Sequence, residues 1–201
     1  MPSSTPLRLV LASSSRYRKE LLSRLHMPFE VLAPQIDETP WPDEAPHITA
    51  LRLAREKAAA VARMIPQALI IGSDQIATLD GEQIGKPGSH ENALKQLQRM
   101  RGRQVIFHTA LCLWDDREGA IHQAQTENVQ TLVKFRDLPD GELDAYLRIE
   151  QPYDCAGSAK NEGLGIAIIE KIESTDPTAL TGLPLIALTS MLRRADVQFF
   201  N

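Results

Sequence analysis

Cysteine is nearly missing from this chain: two occur in 201 residues, Cys112 inside an apolar run and Cys155 in a glycine-containing loop. Neither stands at metal-ligand spacing, and nothing in their placement calls for a disulfide. Histidine is sparse too, and His26, His47, His90, His108 and His122 form neither an H-E-x-x-H motif nor a Cys/His set. A zinc hydrolase is thereby disfavoured. Positive charge is not in surplus, since 22 Lys and Arg face 26 Asp and Glu for a net charge of -4. This speaks against tight non-specific binding of a nucleic acid polymer, which rests on phosphate neutralisation. No apolar run approaches membrane-spanning length, Leu7 to Ala12 is too short for a signal core, and no basic residue precedes it. The expectation is a cytoplasmic protein with no membrane association.

What is present is ordinary globular material, 43% hydrophobic and 24% charged, without repeats or low-complexity tracts. The length fits one folded unit, so residues 1–201 are read as a single domain with its core at about 7–194. Leu7 to Ala12 reads as a strand running through three serines into a helical pattern over Arg16 to His26. A short strand over Phe29 to Leu32 and a Pro- and acid-rich loop over Pro34 to Pro46 follow. The long helix beyond carries Leu51, Ala54, Ala58, Val61, Ala62 and Ile65 on its apolar side, with Lys57 at the margin, able to reach out of the core.

Leu69 to Ser73 reads as a buried strand, and Asp80-Gly81 between Ile76–Leu79 and Gln83-Ile84 signals a hairpin. A helix over Glu91 to Met100 closes at Gly102, and long paired strands cover Val105 to Trp114 and Gln123 to Phe135. A short helix over 140–148, a strand over Leu164 to Glu170 and a final helix opened by Pro184 complete the pattern. In that last helix Leu185, Leu188, Thr189 and Leu192 are expected to face inward. The fold class is α/β with a mixed twisted sheet.

Two stock phosphate motifs fail on inspection. Only three residues separate Gly81 from Gly85, with Pro87 after Lys86, and Gly163-Leu164-Gly165 has no third glycine. Ser13-Ser14-Ser15-Arg16-Tyr17-Arg18-Lys19 does better, because hydroxyls, free N–H groups at a helix start and several cations converge on one spot. A helix cap alone needs one hydroxyl and gains nothing from cations, which the macrodipole disfavours at that end. Asp74 is the second signal: a carboxylate among Ile70, Ile71, Ile76 and Ala77 is costly to bury unless paired, metal-bound or used in chemistry. Gly85-Lys86-Pro87 adds a cation on a rigid turn, Asp37-Glu38-Thr39 two carboxylates, and Lys160-Asn161-Glu162-Gly163 a polar loop. The residues alone reach a phosphate-binding, metal-assisted site and stop short of a reaction.

These motifs, in this order, resemble the Maf-like nucleotide pyrophosphatases from about residue 7 to residue 194. The likeness is carried by Ala12-Ser13-Ser14-Ser15-Arg16 through Leu22, Asp37-Glu38-Thr39, Glu56-Lys57-Ala58, Gly72-Ser73-Asp74-Gln75, Gly85-Lys86-Pro87, Cys155-Ala156-Gly157-Ser158 through Gly163, and Thr181-Gly182-Leu183-Pro184. The resemblance implies hydrolysis of a nucleoside triphosphate to monophosphate and diphosphate. It also implies two lobes around a central cleft, similar to the inosine triphosphate pyrophosphatases, and a divalent cation, magnesium or manganese. Asp74 would be the proton acceptor with Lys86 and Glu38 as further catalytic groups, and Asp74 and Glu38 would hold the metal. Ser13, Ser15, Arg18, Lys57 and Lys160 would bind the substrate. The partner implied is a small nucleotide, and a homodimer stays open.

In one place the chain departs from the family pattern: Tyr17 stands where the first of two arginines is usual. That position, the residue after the strand aspartate and a later polar residue are associated with substrate choice; here they are Tyr17, Gln75 and Glu162. Methylation at N7 of guanine leaves a delocalised positive charge, which an aromatic face and an anion suit better than a cation. The three residues therefore point to 7-methyl-GTP. The alternatives are the pyrimidine branch of the family, acting on dTTP and UTP, and a non-catalytic nucleotide-binding regulator of cell division.

Overall fold

A computed structural model describes residues 7–120 and 124–200. Strand β1 (Leu9–Ala12) is wholly buried, and the chain leaves the sheet at Ser13 to enter helix α1 (Arg16–Ser23). That helix is shorter than the pattern suggests: the amides of Arg24, Leu25 and His26 bond to carbonyls three residues back, and His26, at φ 52°, turns the backbone out of the helical path. β2 (Glu30–Val31) runs parallel to β1. Helix α2 (Pro46–Ala62) opens on a proline, whose missing N–H costs nothing there, and lays Ala50, Leu53, Ala54, Ala58 and Val61 against the sheet.

Strand β3 (Leu69–Leu79) is continuous through Asp74, with Ser73 and Asp74 in its middle. It returns as β4 (Glu82–Ile84) through Asp80 and Gly81, at φ 52° and 86°, the left-handed pair that a tight hairpin requires. Then follow α3 (His90–Met100), β5 (Gln104–Asp115), β6 (Ala124–Phe135), α4 (Asp140–Glu150), β7 (Ile169–Ser174) and α5 (Leu185–Arg194). Gln123, read as the start of β6, lies outside the described residues. The strands order as β2-β1-β3-β5-β6-β7, parallel from β2 to β3 and antiparallel beyond, with β4 also on β3. This is the mixed α/β sheet expected.

The sheet buries three cores. Leu9, Leu11, Leu69 and Ile71 meet α1 and α5 on one face, while Val10, Ile70, Ile76 and Cys112 meet α2 on the other. At the far end Leu79, Phe107, Val133 and Phe135 meet α3 and α4. Odd and even residues of β3 thus serve opposite faces, as the pleat requires.

Three expectations are corrected. Leu164–Ile168 is a 3-10 helix, and the strand starts only at Ile169. Gly165 and Ile168 are the buried residues there, a spacing of three that suits this helix, whereas a short apolar run by itself does not separate strand from helix. In α5, Ala187 and Met191 turn inward beside Leu185, Leu188 and Leu192, while Thr189 bonds back to the Ile186 carbonyl. Lys57 is not at a free margin: it is 6% exposed.

Gly72 makes the approach of α2 to β3 possible. A Cβ there would collide with the Ala54 carbonyl oxygen and stand 2.9 Å from the Ala58 nitrogen. Both obstacles are helix backbone, so neither can swing aside. Gly72→Ala should cost about 3 kcal/mol, the upper end for overpacking. Urea unfolding checks this, and a loss below about 1 kcal/mol would mean that α2 can retreat without penalty.

Candidate functional site

The edge of β3 is shared by two neighbours and left bare between them. β1 pairs with it from Leu69 to Gly72, and β4 takes over at Ala77, so Ser73 to Ile76 have no strand partner on that side. On the opposite edge β5 pairs without interruption. The chain leaving β1 at Ser13 swings away beside this gap, which makes it a place where backbone groups and ligands can meet. A cleft of about 690 Å³ opens there, between the β1–α1 loop and α2 on one side and β4 with the loops after α4 on the other.

Its floor is an ion cluster. Lys57 Nζ donates to Asp74 Oδ1 at 2.7 Å and stands 2.9 Å from Glu38 Oε1. The Lys57 and Asp74 side chains are 7% and 10% exposed, while Glu38 reaches in from the exposed loop at 60%. Arg18 adds a second cation; burial lowers its pKa, with Asp74 and Glu38 pulling the other way. Its Nε donates to the Gly182 carbonyl at 2.8 Å, a bond that Ser73 Oγ duplicates at 3.0 Å. Ser15 caps α1, accepting from the Arg18 amide, and Ser13 Oγ accepts from the Ser15 amide. The serine loop is therefore self-bonded as well as placed on the cleft wall.

The remaining sequence-derived residues divide. Lys86, Tyr17, Gln75 and Glu162 line the cleft. Lys160 does not: its ammonium lies 3.3 Å from the Glu150 carbonyl and 3.7 Å from the Glu150 carboxylate. The Tyr17 ring carries the Arg16 guanidinium at 4.7 Å, and its hydroxyl accepts from the same group at 2.7 Å, so one aromatic face is already in use. Burial raises the Tyr17 pKa, against the pull of Arg16. Gln75 spends its amide nitrogen on Thr109 Oγ1 and on the Ala179 and Leu180 carbonyls.

Sequence reasoning missed the apolar wall made by Ile84, Phe107, Val133, Phe135, Ile169 and Leu180. Period-two alternation picks out Val133 and Phe135, but the same alternation describes any buried strand face. Asn161 and Thr181, which fall within quoted motifs but received no role of their own, are joined by a 3.4 Å hydrogen bond at the cleft. Asp154 and Cys155 also line the cleft, and burial pushes the Cys155 thiol up to about 11, far from a reactive thiolate.

Comparison with known proteins places this geometry. The family model described as Maf-like protein matches residues 8–195. The chain belongs to the Maf-like family. A 7-methyl-GTP pyrophosphatase of Burkholderia pseudomallei (strain 1710b) is 65% identical over 98% of this chain and 92% of its own length. One from Cupriavidus metallidurans, also named 7-methyl-GTP pyrophosphatase, is 62% identical over the whole of both chains. Among solved structures, a HAM1 protein from Coxiella burnetii superposes with a TM-score of 0.51 at 16% identity, covering 94% of this chain and 99% of that one. That likeness concerns the fold alone. Within the Maf-like chain, no group of three or more His, Cys, Asp or Glu side chains gathers as a metal cage among the described residues. Asp74 and Glu38 both turn to the Lys57 ammonium, at 2.7 and 2.9 Å, so these two oxygen donors, of the kind a hard cation takes, already share one cation.

The cluster's energetics follow from its burial. Removing the ammonium with Lys57→Met strands the Asp74 carboxylate and should cost about 3 kcal/mol, as breaking a buried pair does. Adding Asp74→Leu should recover much of that loss. If the double variant is as unstable in urea as the sum of its parts, the pair is not coupled.

Proposed function

We propose that this chain hydrolyses 7-methyl-GTP to 7-methyl-GMP and diphosphate. The observation that carries the reading is the buried Asp74–Lys57 pair, joined by Glu38 from the exposed loop, on the floor of a nucleotide-sized cleft, in a chain 65% identical to a protein of that name. Phosphoryl transfer asks little covalent help of a protein. It needs a positioned water and cations where charge spreads over the phosphate oxygens.

In this reading Ser13, Ser15, Arg18 and Lys86 take the phosphates. Lys57 holds Asp74 Oδ1, which leaves the carboxylate's other oxygen to receive a proton. Water loses that proton to Asp74 as its oxygen bonds to the α phosphorus, and the bond to the α–β bridging oxygen breaks to release diphosphate. A magnesium or manganese ion held by Asp74 and Glu38 would supply neutralisation of phosphate charge when bound. Lys160, turned to Glu150, serves the 160–163 loop in this proposal.

Base choice falls to the aromatic and acidic groups of the rim. Arg16 takes one face of the Tyr17 ring, which leaves the other face for a base, and Glu162 is an exposed carboxylate on the same cleft. Together they suit a purine made cationic at N7. We also place the protein in the cytoplasm, where such nucleotides occur; among the described residues no helix is long and apolar enough to cross a membrane.

An early time point resolved by chromatography should contain 7-methyl-GMP and diphosphate with no orthophosphate; 7-methyl-GDP appearing first would mean cleavage at the γ position. Hydrolysis should be faster on 7-methyl-GTP than on GTP, dTTP or UTP, and Glu162→Gln should erode that margin. Equal kcat/KM on GTP and 7-methyl-GTP would defeat the charge-based account of the base. Asp74→Asn should lose nearly all turnover, and retention of more than a tenth, about 1.4 kcal/mol of barrier, removes Asp74 from the reaction.

A further inference from the structure

The pleat of β3 sends Asp74 to the α2 face and its neighbours Ser73 and Gln75 to the other. On that other face lies the segment 179–182, and among the described residues its polar anchors on the sheet are Ser73 and Gln75, which flank Asp74, and Thr109, which pairs with Gln75. Gln75 Nε2 reaches the Ala179 and Leu180 carbonyls at 3.1 and 3.0 Å and Thr109 Oγ1 at 2.9 Å. Thr109, directly opposite Gln75 on β5, donates its own hydroxyl to the Ala179 carbonyl at 2.9 Å. Ser73 and Arg18 hold Gly182. With two hydrogens already shared among three acceptors, the amino end of Gln75 has nothing left for a ligand.

We propose that Gln75 is a positioning residue rather than a reader of the base: with Thr109 it bolts the 179–182 wall to the strand that carries Asp74. This rests on the proposed nucleotide hydrolysis and explains how the residue after Asp74, whose amide nitrogen is spent on the wall, shapes the site. The wall presents Leu180 and Thr181 to the cleft, and Thr181 bonds Asn161, the neighbour of Glu162. The bolt therefore sets the spacing between the groups around the phosphate and those around the base. An error of about 1 Å in such a spacing is enough to cost up to a hundredfold in rate.

Gln75→Met keeps the volume and removes the donors, Thr109→Val does the same for its hydroxyl, and Thr109→Ser keeps the hydroxyl. Steady-state kinetics on 7-methyl-GTP and GTP should give a loss of about tenfold in kcat/KM for Gln75→Met and for Thr109→Val. The double variant should fall no further than about threefold below either, because both act on one carbonyl. Thr109→Ser should stay near wild type. Gln75→Glu, which sets a carboxylate against two carbonyls, should lose activity on both nucleotides, whereas a base reader made acidic would favour the cationic one. Independently of turnover, amide exchange at Gly182, whose N–H donates to the Ala179 carbonyl at 2.9 Å, should quicken in Gln75→Met. Multiplying effects, a rise in 7-methyl-GTP preference for Gln75→Glu, or unchanged Gly182 exchange would each overturn the bolt. A wild type that cuts no nucleotide would instead defeat the proposed function, with the exchange measurement still deciding on the bolt.

Discussion

One ammonium group organises this molecule. Lys57 stands on the buried face of α2, among Leu53, Ala54, Ala58 and Val61, and its charge is buried to within a few per cent. A charge so placed is tolerable only against carboxylates, and it finds two, Asp74 from the sheet and Glu38 from the loop before the helix. The close packing that brings α2 near enough is set by Gly72, where the strand touches helix backbone. Helix, strand and loop are thereby locked to each other at one point.

That point coincides with the break in strand pairing along β3. Between the end of β1 and the start of β4 the strand keeps full hydrogen bonding on the β5 side and offers its other edge to the cleft. A carboxylate there is held by a rigid element yet open to a ligand, which a loop could not provide as firmly. The two faces of the same four residues do different work: Asp74 looks to the ion cluster, and Ser73 and Gln75 look to the wall at 179–182. Remote parts of the sequence, α1 through Arg18 and β5 through Thr109, converge on that wall.

Much of this was legible in order along the chain. Asp74 announced itself as a charge in an apolar run, and the serines before Arg16 and Arg18 as a polar loop that the fold sets on the cleft wall. The hairpin at Asp80-Gly81 and the mixed sheet followed from turn chemistry and period. Lys57 was placed at the wrong depth because amphipathic patterning measures distance from an apolar stripe and cannot see a carboxylate waiting across the interface. The stretch from Leu164 failed for a related reason: with Leu164 and Ile166 exposed and Gly165 and Ile168 buried, only the fold says which apolar residues are inside.

By itself the sequence determined most of the element types, the stretch from Leu164 excepted, and the family to which the chain belongs, because each of these depends on local composition or on motifs short enough to read in line. The tertiary structure alone decided which charges meet, that Lys160 turns to Glu150 while Lys57 turns to Asp74, and that Gln75 spends its amide on backbone carbonyls. Those outcomes depend on contacts between residues 17 to 105 positions apart, with Lys160 and Glu150 nearer at 10, and on which face of a strand each side chain takes. No pattern along the chain encodes them, since hydrogen bonds choose partners by distance in space.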